Sequence, residues 1–272
     1  VQQTTNKLIF FYFSRQNTIK ADRMNTEQTL QQMRGLKLHG MASTYQALLG
    51  LPLDQHPPSD QLLAQLIDAE MLHRQHQKTV ASIRVAKFRY QASIEEIKYL
   101  PERNLDKNLV LRLSDASFIK RAENVFITGA TGCGKSYIAS AMGLQACQMG
   151  YKVGYFSMTK LLQRFNLAKA DNSISKELAR IEKLNLIILD DWGLQPLDNS
   201  MKITLLQMIE DRHGRASTII TSQLPVAQWF DYIAEPTLAD AILDRLMQHV
   251  HRIELKGESM RKKQKSNMNL VS

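Results

Sequence analysis

One stretch of eight residues constrains this chain more than any other. Gly129-Ala130-Thr131-Gly132-Cys133-Gly134-Lys135-Ser136 satisfies the pattern G-x-x-x-x-G-K-[ST] at every position. The apolar run Val125-Phe126-Ile127 leads into it, and a helical pattern from Tyr137 to Gln148 leaves it. Strand, glycine-rich turn and helix in that order form a phosphate cradle. The glycines let the backbone curl so that amide N–H groups point inward, and the helix N-terminus adds roughly half a positive charge at the same place. In such a loop Lys135 is expected to reach the β- and γ-phosphates of ATP, and Ser136 to hold Mg2+ through its hydroxyl.

The residues around this loop repeat one grammar. Short apolar runs at 124–128, 152–156, 186–189, 218–221 and 250–255 alternate with helical patterns at 135–148, 159–167, 176–183, 200–211 and 238–248. Strands alternating with helices predict βαβ units and a mostly parallel sheet. Ligands in such sheets bind at the C-terminal strand ends. There the run Leu186-Ile187-Ile188-Leu189 delivers two carboxylates, Asp190 and Asp191. Asp190 is the better Mg2+ partner, through water. Asp191 either orients the attacking water as a general base or caps the turn at Trp192-Gly193. The strand Thr218–Thr221 ends in Ser222-Gln223, and one of these two is expected to sense the γ-phosphate.

The first part of the chain reads differently. Residues 1–23 show no helical period, and a regular pattern starts only after Met24, so 1–23 is expected to be an upstream or disordered leader. Residues 24–95 read as a small all-helical domain, with Leu30, Met33, Leu36 and Met41 on one helical face. A loop with three prolines follows at 51–58, and then an apolar stripe of Leu62, Leu63, Leu66, Ile67, Met71 and Leu72. Residues 96–120 are expected to be a linker, 121–258 the ATPase domain and 259–272 a basic flexible tail. The longest uninterrupted apolar run is Leu8–Phe13, six residues, against about 20 for a membrane helix, so no membrane partner is expected. Cys133 and Cys147, if they share one helix, stand roughly 20 Å apart, too far for a disulfide, which suits a reduced cytoplasmic protein.

At this point the chain resembles a known family. The loop above, Leu189-Asp190-Asp191-Trp192-Gly193, Ser222-Gln223-Leu224-Pro225 and Leu255-Lys256-Gly257-Glu258-Ser259-Met260-Arg261 are similar to the IstB-like ATP-binding proteins. These are transposition helper ATPases of bacterial insertion sequences, related to DnaC helicase loaders within the AAA+ class. The resemblance implies an α/β AAA+ P-loop core with a parallel sheet in the order 5-1-4-3-2, preceded by a small helical domain. It implies an ATPase that self-assembles on target DNA as an ATP-dependent homo-oligomer and recruits an integrase-like transposase. It also places Arg245, ahead of the fifth strand, as the arginine that reaches a neighbouring subunit's γ-phosphate. The alternative for Arg245 is an ordinary helix-surface ion pair. Arg212 and Arg215 are further candidates for a subunit contact, and Arg261 for a nucleotide contact.

The chain carries 35 Lys and Arg against 26 Asp and Glu, a net +9. The excess is gathered rather than spread. Residues 71–94 hold no acid and present Arg74, Lys78, Arg84, Lys87 and Arg89, and a second cluster comprises Lys256, Arg261, Lys262, Lys263 and Lys265. Lysine and arginine bind phosphates without reading bases, so the expected partner is double-stranded DNA with low sequence preference. Phe88 and Tyr90, within the first cluster, are expected in the core. The competing reading of the whole chain is a DnaC-like replicative helicase loader. A P-loop small-molecule kinase has no acceptor-pocket motif to support it.

Overall fold

The computed structural model describes residues 26–257, 259 and 260. The expected leader at 1–23 and the tail cations Arg261, Lys262, Lys263 and Lys265 lie outside the described residues. The chain divides into two compact units at Lys78/Thr79. No helix among the described residues is long and apolar enough to cross a membrane.

The first unit is helical. It holds α1 (26–35), α2 (His39–Leu49), a short 3-10 turn (Leu53–Gln55) and the first part of α3 (Ser59–Ala86). Leu30, Ala42 and Leu66 are its buried apolar side chains. α2 meets α3 at Gly40, where an added Cβ would sit 2.4 Å from the Ala69 carbonyl oxygen. There the Gly40 and Met41 N–H groups donate to Glu70 Oε2 at 2.8 and 3.3 Å. Glu70 thus supplies acceptors for donors that the first turn of α2 leaves free. Leu63, Ile67, Met71 and Leu72 are exposed, so the apolar stripe expected on α3 is covered only along the line through Leu66.

The second unit is a parallel α/β layer structure. β1 (Asn124–Gly129), β2 (Val153–Ser157), β3 (Leu186–Trp192), β4 (Ser217–Ser222) and β5 (Val250–Leu255) form one sheet in the order β2-β3-β4-β1-β5. This is the expected 5-1-4-3-2 order read from the other edge, and each of the five strands overlaps the apolar run that predicted it. All strand pairs are parallel. The central strands β1, β3 and β4 are buried on both faces, so their middles read as apolar runs, while the edge strand β5 buries only Ile253 and Leu255 and exposes Arg252 and Glu254. Alternate residues feed two cores. Val125, Ile127, Leu186 and Ile188 belong to one, with α4 (Lys107–Ser114), α5 (Ser117–Lys120) and α6 (Lys135–Gln148). Phe126, Ile187 and Leu189 belong to the other. The second core also takes α7 (Met158–Ala170), α8 (Ile174–Glu182), α9 (Asn199–Arg212), α10 (Trp229–Ile233) and α11 (Pro236–Met247).

Residues 79–120 differ from the expected domain end and linker. Ile83 and Ala86 at the end of α3, then Phe88, Tyr90, Ala92, Ile94 and Ile97, pack on the first core of the sheet. Val110, Leu113, Phe118 and Ile119 on α4 and α5 are buried there as well. Both helices are short, eight and four residues, too brief for a helical period to stand out in sequence. Asp106 caps α4 by accepting from the Asn108 N–H at 2.8 Å.

Candidate nucleotide site

The glycine-rich loop occupies the C-terminal end of β1, as the motif requires. Gly129 has φ +142, and a Cβ there would lie 2.3 Å from the Leu255 carbonyl oxygen on β5, so only glycine fits. Gly134 has φ +97 and opens α6; its missing Cβ makes room for the Arg103 guanidinium, whose Nη2 would otherwise stand 2.7 Å away. Lys135 is buried and donates to the loop's own carbonyls, Gly129 O at 2.8 Å and Ala130 O at 2.9 Å. Thr131, Gly132, Gly134, Lys135 and Ser136 line a cavity of about 1030 Å3. Cys133 points away into the core, and its carbonyl accepts from Arg103 Nη2 at 2.9 Å.

The parallel register brings the carboxylates to the same end. Ser136 Oγ donates to Asp190 Oδ1 at 2.7 Å. Thr221, at the end of β4, also donates to Oδ1. The Tyr155 hydroxyl on β2 donates to Oδ2, and Arg89 Nη1 donates to Oδ2 at 3.0 Å. Asp190 is wholly buried. Burial alone would raise its pKa, but the hydrogen bonds from Thr221, Tyr155, Ser136 and Arg89 outweigh it and hold the carboxyl below its ordinary value. Burial, together with the neighbouring Asp190 charge, pushes the Tyr155 phenol the other way, well above its ordinary range, so it stays a donor. A buried ionised carboxylate beside a hydroxyl is a hard-oxygen pair that suits Mg2+ when the remaining positions are filled by water and phosphate.

Asp191 sits in left-handed backbone, φ +64, which swings its side chain out of the strand toward the cavity that it lines. Its N–H donates to Thr221 Oγ1 at 3.2 Å, and its Oδ2 accepts from Arg89 Nη1 at 3.0 Å. Ser222 and Gln223 point to different surroundings. Ser222 is buried and donates to the Trp192 carbonyl at 2.8 Å, while Gln223 Oε1 accepts from Thr131 Oγ1 at 2.8 Å and lines the cavity.

Other sequence candidates fall elsewhere. Arg245 on α11 does not line this cavity; it pairs with Glu210 Oε1 at 2.8 Å and donates to the Ala241 carbonyl. Arg212 is buried and donates to the Ile181, Leu184 and Ser217 carbonyls, so it ties α9 to its neighbours and is not available to another subunit. Arg215 is exposed and lies 3.9 Å from Glu182. Arg74 is bound to Glu70 at 2.7 Å. Lys78, Arg84 and Lys87 are exposed. Arg89, expected with them on a DNA-facing surface, instead engages both aspartates. The sequence reading missed Arg103, Tyr155 and Thr221, and the wall that residues 89–103 give the cavity. On that wall Tyr90, Ile97 and Leu100 offer apolar surface, and Glu96 Oε2 accepts from the Tyr137 hydroxyl at 2.7 Å.

The comparisons with known proteins agree with this geometry. A model of the IstB-like ATP binding proteins matches residues 31–268. The chain belongs to that family. The insertion sequence ATP-binding protein y4pL of Sinorhizobium fredii is 39% identical over 242 residues, 89% of this chain and 99% of its own length. The ATP-binding protein of insertion sequence IS1162 from Pseudomonas fluorescens is 36% identical over 203 residues, 74% of this chain and 88% of its own. Among solved structures, the DnaC helicase loader has a TM-score of 0.52 at 18% identity, covering 63% of this chain and 100% of that one. AMPPCP-bound DnaA from Aquifex aeolicus has a TM-score of 0.54 at 18% identity, covering 67% and 56%. These likenesses place the second unit in the AAA+ P-loop fold.

Proposed function

We propose that this member of an insertion-sequence ATP-binding family is a Mg2+-dependent ATPase that assembles on duplex DNA and recruits an integrase-like transposase. The observation that carries the ATPase reading is the meeting of Ser136 with the buried, ionised Asp190 at the mouth of the glycine-rich loop, with Asp191 and Gln223 beside it. Lys135 and the loop amides bind the β- and γ-phosphates. Ser136 and Asp190 would hold Mg2+, which would neutralise phosphate charge when bound. Asp191 orients the attacking water and accepts its proton. Gln223, bonded to Thr131 of the loop and lining the cavity, reports the γ-phosphate.

Phosphoryl transfer also needs positive charge on the far side of the γ-phosphate. Arg245, which lies off its own chain's cavity, is the residue we assign to a neighbour's site. Exposed Lys78, Arg84 and Lys87, with Arg74, are the DNA contacts. Their partner is the phosphate backbone, so binding falls steeply with salt and is shared by unrelated sequences.

The test is hydrolysis and particle assembly with ATP, with and without duplex DNA, followed by capture with the cognate transposase or with a replicative helicase. The expected result is ATP-dependent oligomers on DNA that retain the transposase. Retention of the helicase alone would replace this reading with that of a helicase loader.

A further inference from the structure

Asp190 has no free acceptor position. A carboxylate offers about four lone-pair sites. Here Oδ1 accepts from Ser136 and Thr221, and Oδ2 accepts from Tyr155 and Arg89. A cation, or a water of its shell, reaches this carboxylate only if one of the four donors withdraws. Three of them are rooted in regular structure: Ser136 in the first turn of α6, Thr221 in β4 and Tyr155 in β2. The fourth is not. Arg89 lies in the irregular segment beyond α3, two residues after Lys87 with its left-handed φ of 57. Its side chain is 42% exposed, against 0% for Asp190, whereas Ser136 and Tyr155 are half-buried and Thr221 is buried, so Arg89 has the most water to retreat into. It also lines the cavity that takes the triphosphate.

The same nitrogen, Arg89 Nη1, bridges the two carboxylates, 3.0 Å from Asp190 Oδ2 and 3.0 Å from Asp191 Oδ2. Two carboxylates on consecutive residues at a buried strand end repel each other unless a cation stands between them. Arg89 is that cation in this arrangement. It holds the metal carboxylate and the candidate base together with one group.

We propose that Arg89 is an internal counter-ion that competes with the divalent cation for Asp190 and Asp191, so that metal binding and Arg89 release are a single exchange. The inference rests on the reading of Ser136 and Asp190 as the Mg2+ site. While Arg89 is in place, the acceptor positions on Asp190 are filled and Asp191 Oδ2 is engaged. Once it withdraws, both carboxylates are available together. The segment that begins with Arg89 also forms the cavity wall through Arg103, so the exchange couples the metal position to the wall against which the nucleotide packs.

The test is Mn2+ binding, read by electron paramagnetic resonance, to the full chain with one equivalent of bound ADP. Arg89→Ala is expected to bind Mn2+ up to about fivefold more tightly than the unaltered protein, the scale of a partly screened charge pair. Arg89→Lys, which keeps the charge, is expected to stay close to the unaltered protein. Thermal unfolding checks that each variant folds, and Arg89→Gln serves in place of alanine if Arg89→Ala does not. Equal or weaker Mn2+ binding by the neutral variant, with Asp190→Asn still abolishing the signal, would overturn the exchange and leave the metal site standing. Mn2+ binding undiminished by Asp190→Asn would overturn the metal site, and the exchange with it.

Discussion

Ser136 and Asp190 are 54 positions apart in the chain and 2.7 Å apart in space. The contact exists because β3 lies two strands from β1 in a parallel sheet, so Ser136 in the first turn of α6 and Asp190 near the end of β3 meet at the C-terminal edge of the strands. Loop and carboxylate belong to separate motifs in sequence, and the sheet order makes them one site.

Asp190→Asn removes the anionic charge and leaves the shape. ATP hydrolysis is expected to fall by about a thousandfold, the scale of losing a metal's transition-state stabilisation. Nucleotide is expected to stay bound, because Lys135 and the loop amides are untouched. A steady-state phosphate-release assay beside a fluorescent-nucleotide titration checks both halves. Turnover within a few-fold of the unaltered protein would remove Asp190 from the metal role.

Adjacent residues Ser222 and Gln223 should fail in different ways. Ser222 is buried, donates to the Trp192 carbonyl and accepts from the Leu224 N–H at 3.0 Å. Ser222→Ala should cost about 1–3 kcal/mol of stability, the price of an unmet buried partner. Gln223 is exposed and touches Thr131. Gln223→Ala should change stability by less than about 0.5 kcal/mol while lowering turnover tenfold or more. Unfolding curves and phosphate release, measured on both variants, separate the two roles.

Much of the core was legible because parallel strands covered on both faces must be apolar throughout. The five runs follow from that, while their order came only through the resemblance and the loop with its two aspartates through their motifs. What was not legible depends on pairing between distant segments. Tyr155 is an ordinary aromatic on a strand until β2 is placed beside β3, with Ser157 opposite Asp190. Arg103 has meaning only because Gly134 lacks a Cβ facing it. Arg89 belongs by composition to an acid-free basic run, and only the backbone turn after α3 carries it to the aspartates. The stretch 96–120 looked like a linker because its helices are shorter than the window in which a period is detected.

Arg245→Ala is expected to abolish hydrolysis while leaving nucleotide affinity nearly unchanged, since Arg245 lies outside its own chain's cavity. Mixing it with Asp190→Asn protein gives the sharper measurement. A site assembled from an intact Asp190 on one chain and an intact Arg245 on another should regain activity in the mixture. Absence of any recovery, with mixed oligomers demonstrated, would leave Arg245 as the partner of Glu210 alone.

The Glu123 carboxyl gives the stability a defined acid limb. Its bidentate hydrogen bonds from Arg121, with a further contribution from His251, lower its pKa from 4.5 to about 2 against the opposing effect of burial. A carboxyl with a depressed folded-state pKa stabilises fully above its unfolded value and loses that contribution as pH falls through the folded value. The stability difference between the unaltered protein and Glu123→Gln should therefore be constant above about pH 5. It should shrink as pH drops from 4.5 and vanish near pH 2. Denaturant titrations at four or five pH values check the shape, and a difference that persists unchanged at pH 2 contradicts it.

Two glycines of the first unit should respond with opposite signs to the same substitution. At Gly40 a methyl group would lie 2.4 Å from the Ala69 carbonyl oxygen and 2.8 Å from the Glu70 Cα. Both are backbone atoms of α3 and cannot rotate aside, so α2 must move away. That movement stretches the Gly40 N–H bond to Glu70 Oε2 and opens the packing around Ala42 and Leu66. Gly40→Ala should cost about 2–4 kcal/mol, overpacking compounded by a weakened buried hydrogen bond. At Gly35, in the last turn of α1, an added Cβ meets nothing within 4 Å. There Gly35→Ala removes backbone freedom from the unfolded chain and should be neutral or stabilising by up to about 1 kcal/mol. Helical ellipticity followed through chemical unfolding measures both. If Gly40→Ala were as benign as Gly35→Ala, α2 and α3 could not be in backbone contact at that point.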